Sequence, residues 1–102
     1  MLHSAITVDS EAIAAICRSF GVARLSAFGS ALRKDFDPGR SDLDLLVDFQ
    51  PQVRASLFTL VDLENKLADL FERKVDLVMS GSLSKYFRDE VLALAEPLYV
   101  AP

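Results

Sequence analysis

The sequence predicts an α/β domain, a small mixed sheet flanked by helices in the order α-β-α-β-α-β-α. Three observations carry this. Segments with apolar residues at helical spacing alternate with short segments of period two, a pattern that packs helices against one sheet. The connection between the first two predicted strands, around Asp37 to Arg40, is short, so neighbouring strands need not all be parallel. With 102 residues, 51% hydrophobic and 25% charged, the chain has the size and composition of one globular domain spanning 1–102.

The elements follow in order. "DSEAIAAICRSFG" reads as a helix that Asp9 or Ser10 can cap; Ile13, Ile16, Cys17 and Phe20 share a face and Gly21 stops it. "ARLSAF" is a short strand ending abruptly at Gly29-Ser30. "SALRKDF" has length for a turn or two of helix before "DPGR", which is turn chemistry. "SDLDLLVDF" is the second strand, with Leu43, Leu45, Val47 and Phe49 on one face and Asp42, Asp44, Leu46 and Asp48 on the other. "RASLFTLVDLENKLADLFER" is the longest predicted helix; Leu57, Leu60, Val61, Leu67 and Phe71 form its stripe, widened by Leu63 and Leu70. "KVDLVM" is the third strand. A last helix follows Gly81, with Leu83, Tyr86, Phe87, Val91 and Leu94 at helical spacing. Glu96-Pro97 ends it and leaves an apolar tail, "LYVAP".

Composition narrows the function classes. Fifteen acids against eleven bases give a formal charge of −4, a poor match for gripping a long nucleic acid, whose binding depends on neutralising phosphates. A single nucleotide remains within reach if a metal ion supplies positive charge. One cysteine, Cys17, allows no intramolecular disulfide and suits a reducing compartment. The opening "MLHSAITVDSEA" lacks the basic start and apolar core of a signal peptide, and no apolar run reaches the roughly 18 residues of a membrane span. The expected location is the cytoplasm.

The chemistry is concentrated around three aspartates. Asp42 and Asp44, two apart on a strand, leave the same face, and Asp76 sits in a second strand of the same apolar-acidic texture. If those strands are neighbours, three carboxylates share a small volume, and their mutual repulsion would force protons onto them unless a cation intervenes. Mg²⁺ is suited to this, since it prefers oxygen ligands and keeps waters and substrate phosphates around it. Two such ions about 3.5–4 Å apart clamp an in-line phosphoryl or nucleotidyl transfer. A lone D-x-D is more often a solvated strand face. Gly29-Ser30 tips the balance: the glycine admits close backbone approach, and the amides and hydroxyl that follow are anion donors. The glycine count and lysine spacing exclude a Walker A loop and a dinucleotide fingerprint.

"FGSALRKDFDPGRSDLDLLVDF" followed by "KVDLVM" resembles the minimal nucleotidyltransferase (MNT) domains of the DNA polymerase β-like superfamily, over nearly the whole chain. The spacer from Ala31 to Ser41 is one residue longer than usual there, and the extra residue falls in the "DPGR" turn. The resemblance implies that chain's fold, with Asp42, Asp44 and Asp76 as catalytic metal ligands for two Mg²⁺ ions. It implies that Gly29 and Ser30 hold the β- and γ-phosphates of ATP. Arg33, Lys34 and Arg40 lie near enough in sequence to contact phosphates, and an exposed solubilising role is the alternative for each. Small MNT proteins are antitoxins paired with a HEPN ribonuclease toxin, and the implied reaction transfers AMP from ATP to a toxin tyrosine. The short chain agrees, having no second domain to hold an acceptor.

Two other functions compete: an antitoxin that only masks its toxin, and transfer of a nucleotide to a small molecule, which would need a homo-oligomer to build the acceptor pocket. Other residues have plainer readings. His3 is terminal surface, Cys17 core, Asp35 and Asp37 turn residues, and Asp62, Glu64, Asp69 and Glu72 the wet side of a helix. The wide apolar arc of the longest helix suits either deep burial or a subunit interface.

Overall fold

A computed structural model describes residues 9–29, 42–82 and 88–102. The elements are α1 (Ser10–Phe20), β1 (Val22–Phe28), β2 (Leu43–Phe49), α2 (Leu57–Phe71), β3 (Val75–Met79), α3 (Arg88–Leu94) and β4 (Glu96–Val100), with a 3₁₀ turn over Ser80–Ser82. The predicted short helix over "SALRKDF", the "DPGR" turn, His3 and the start of the last helix at Leu83, Tyr86 and Phe87 lie outside the described residues.

Local sequence sets the ends of the helices. Asp9 caps α1, accepting from the Ala12 N–H at 3.1 Å, and Gly21 closes it in the left-handed region at φ 72°. α2 begins later than its apolar pattern suggests, at Leu57 and not Arg54, because Ser56 and Thr59 form a reciprocal cap. Ser56 Oγ accepts from the Thr59 N–H at 3.2 Å, and Thr59 Oγ1 accepts from the Ser56 N–H at 3.2 Å.

The sheet has the order β3-β2-β1-β4. β1 is antiparallel to both β2 and β4, and β2 is parallel to β3, so the sheet is mixed as the short connection predicted. The fourth strand is a departure from the sequence expectation, which ended the chain in a helix and a tail. Pro97 reads as a helix stop, but proline is tolerated in an edge strand, and β4 takes the edge beside β1 with Leu98 and Tyr99 packed on the core.

The main hydrophobic cluster lies on one face of the sheet, and Leu46 is buried on the other. Ile13 and Cys17 of α1 and Leu63, Leu67 and Phe71 of α2 cover Leu25, Ala27, Leu43, Leu45, Val47, Val75 and Leu77. Each fully buried leucine contributes about 1.5–3 kcal/mol. Burial pushes the Cys17 thiol from 9.0 up to about 11, against a smaller opposing pull from the Arg18 guanidinium, so it stays a protonated apolar group. Two expected core faces are narrower than their spacing implied: Leu57 and Val61 of α2, and Leu94 of α3, are exposed. Glu64, expected on the wet side, instead reaches the outer edge of β3, where its Oε2 accepts from the Leu77 N–H at 3.1 Å. That carboxylate covers part of an otherwise open strand edge.

Candidate active site

Strand register places the acidic residues. In the parallel β2/β3 pair Asp44 is the direct partner of Asp76, and in the antiparallel β1/β2 pair Asp44 faces Phe28. Partners on adjacent strands stand about 5 Å apart and point to the same face. Asp44 and Asp76 therefore leave the sheet together on the face opposite α1 and α2. They do so at the end where β1 stops and β2 and β3 begin. Asp42 lies just outside β2, one pleat further out.

Gly29 completes this corner. It follows Phe28 directly, takes φ 66°, and a Cβ built on it would lie 2.6 Å from Asp44 Oδ2. A side chain at position 29 is thus disfavoured twice, by the backbone conformation and by the Asp44 carboxylate, which would have to move aside. The absence of a Cβ lets the end of β1 pass against Asp44, the kind of close approach a phosphate-binding turn requires.

Exposure grades across the corner. Asp44 is half-buried, the Asp42 side chain is 43% exposed, and Asp76 is exposed. Lys74, two residues before Asp76, places its Nζ 3.8 Å from Asp42 Oδ2. Sequence reasoning passed over this lysine, although it stands to Asp76 as Asp42 stands to Asp44, and that shared spacing was the available signal.

The donor set is all carboxylate oxygen, which fits a hard divalent cation and not a soft one. Among the described residues no three His, Cys, Asp or Glu side chains already stand together as a metal cage. The described site thus consists of the Asp44–Asp76 pair, Asp42 beside it and Gly29 against it. Ser30 and Arg33, with Lys34 and Arg40, lie outside the described residues. A cavity of about 530 Å³ opens at the other end of β2, among Asp48, Phe49, Val53, Arg54, Met79 and Ser80. There Ser80 Oγ donates to Asp48 Oδ1. Four residues of strand, about 13 Å, separate Asp48 from Asp44, so the cavity is distinct from the acidic corner. No described helix is long and apolar enough to cross a membrane.

Residues 10–96 match the family model described as nucleotidyltransferase domain. Protein adenylyltransferase MntA of Thermococcus cleftensis is 40% identical over 81 residues, 79% of this chain and 77% of that protein. A Methanocaldococcus jannaschii protein described as a candidate protein adenylyltransferase is 39% identical over 64 residues, 63% of this chain. The match spans 62% of that relative's length. In fold, the chain is similar to a solved complex described as a tri-AMPylated Shewanella oneidensis HEPN toxin with its MNT antitoxin. The TM-score is 0.62 at 22% identity, covering 90% of this chain and 70% of that one.

Proposed function

The chain belongs to the nucleotidyltransferase domain family, and from that premise we propose that it is a Mg²⁺-dependent protein adenylyltransferase acting as an antitoxin. In this reading residues 1–102 form a single minimal domain that transfers AMP from ATP to a tyrosine hydroxyl of a HEPN ribonuclease toxin. The observation that carries the reading is the pairing of Asp44 with Asp76, with Gly29 packed close against Asp44 at positive φ. The names of the relatives support the reaction type, and the AMPylated toxin in the Shewanella oneidensis complex supports the kind of partner.

Asp42, Asp44 and Asp76 would hold the Mg²⁺, which when bound neutralises triphosphate charge and favours ionisation of the attacking hydroxyl. The chain's own residues do the rest. Gly29 and Ser30 donate to the β- and γ-phosphate oxygens from backbone amides and the hydroxyl, with Arg33 as a further phosphate contact. The tyrosine oxygen forms a bond to the α-phosphorus, the bond from that phosphorus to the β-bridging oxygen breaks, and pyrophosphate leaves. The phenolic proton passes to Asp76, whose exposure keeps it within reach of an acceptor carried by another protein.

The test is the intact mass of the cognate toxin after co-expression with this protein. Wild-type chain is expected to add AMP to the toxin, and Asp42→Asn/Asp44→Asn is expected to abolish the adduct. A toxin silenced and co-purified without any added mass would instead make this a masking antitoxin.

A further inference from the structure

Lys74 brings a positive charge to the acidic corner. Beyond the Asp44–Asp76 pair the β2/β3 ladder continues one step outward, with the Leu43 N–H donating to the Lys74 carbonyl at 2.9 Å. Asp42 and Lys74 each precede a paired aspartate by two residues, so both emerge on the aspartates' face of the sheet. Their side chains meet at 3.8 Å, Nζ to Oδ2, an ion pair too long to be a hydrogen bond. With the two side chains 80% and 43% exposed, water screens the attraction and the pair is held weakly.

We propose that Lys74 is a positioning residue with two successive partners, the Asp42 carboxylate before nucleotide arrives and the triphosphate afterwards. The inference rests on the nucleotidyltransferase reading above. A divalent ion reaching Asp42 outweighs one ammonium charge and repels it. The lysine stem, four methylenes long and anchored at the mouth of the corner, lets the released ammonium swing without disturbing the strand. A triphosphate held by this corner would offer the released ammonium a new negative charge. Resting, the exchange lowers the appetite of the acidic corner for stray divalent ions. Loaded, it adds a phosphate contact that exists only when metal and nucleotide are both present. Lys74 thus makes the two binding events interdependent, and it does so from a solvent-exposed position that the fold does not need.

The experiment is calorimetric titration of the folded chain, first with Mn²⁺ alone and then with AMP-PNP at saturating Mn²⁺. Lys74→Gln, Lys74→Arg and Asp42→Asn are compared with wild type, and circular dichroism confirms that each is folded. Lys74→Gln is expected to bind Mn²⁺ alone about two- to fivefold more tightly, the release of a weak surface ion pair. The same variant is expected to bind the nucleotide several-fold more weakly, and Lys74→Arg to resemble wild type in both titrations. Unchanged or weaker Mn²⁺ binding by Lys74→Gln overturns the proposal, and so does tighter Mn²⁺ binding with unaltered nucleotide affinity. If folded wild-type protein binds neither Mn²⁺ nor nucleotide, or if Asp42→Asn binds them equally well, the site reading fails and this inference falls with it.

Discussion

A methyl group at position 29 is the smallest change that probes the acidic corner. Gly29→Ala places a Cβ into Asp44 Oδ2 and into a backbone conformation that costs an L-residue about 1–2 kcal/mol. Thermal melting is expected to record a loss of that size, while on the proposed function AMP transfer falls by on the order of 10²-fold, because the added methyl pushes the end of β1 away from the Asp44 carboxylate. Equal, modest losses in both assays would show that the close approach serves stability alone. The shared face of Asp42 and Asp44 was legible in the sequence from period-two spacing, whereas the place of Asp76 beside Asp44 was conditional on β2 and β3 being neighbours, as they are. Lys74 was not, because a lysine at a strand start is ordinarily a solubilising surface residue. Its two-residue spacing from Asp76 is the one hint in the sequence, and the 3.8 Å approach to Asp42 gives that hint meaning. Glu64 escaped for a related reason: its partner is the Leu77 amide, thirteen residues away on another element.

At the scale of the element, the helices were read from their period and misjudged at their ends. The start of α2 turns on Ser56 and Thr59, and a threonine in the third helical position is a less familiar reciprocal partner than the glutamate or glutamine that usually signals such a cap. Ser56→Ala removes the acceptor for the Thr59 N–H and is expected to cost about 1 kcal/mol. In a domain of this size that lowers the melting temperature by about 4–8 °C, measured by circular dichroism. β4 was missed because its proline and brevity resemble a chain end. What makes it a strand is the open edge of β1 beside it, a tertiary fact that no window of five residues contains. α3 shows the opposite error: Leu94 has helical spacing but faces outward at 68% exposure.

At the scale of the whole molecule the compactness is typical for the length, with a radius of gyration of 12.9 Å against about 13 Å expected for 100 residues. The first turns of α2 nonetheless leave apolar side chains outside, Leu57 at 74%, Phe58 at 83% and Val61 at 46% exposure. These side chains contribute little to holding the chain together. Phe58→Ser is therefore expected to change the unfolding free energy in urea by less than about 0.5 kcal/mol, despite removing an aromatic ring. The strand order has a further consequence, in time and not in space. Arg24 is bonded into register with Val100, so β1 cannot have both flanks occupied until the last strand has been synthesised. Until then, a nascent chain carries its first strand with one row of amides and carbonyls open to any extended segment nearby. Such non-local pairing is slow to form. The window for mispairing on the ribosome therefore closes with residues 96–100, and a chain halted before them would leave that edge permanently on offer.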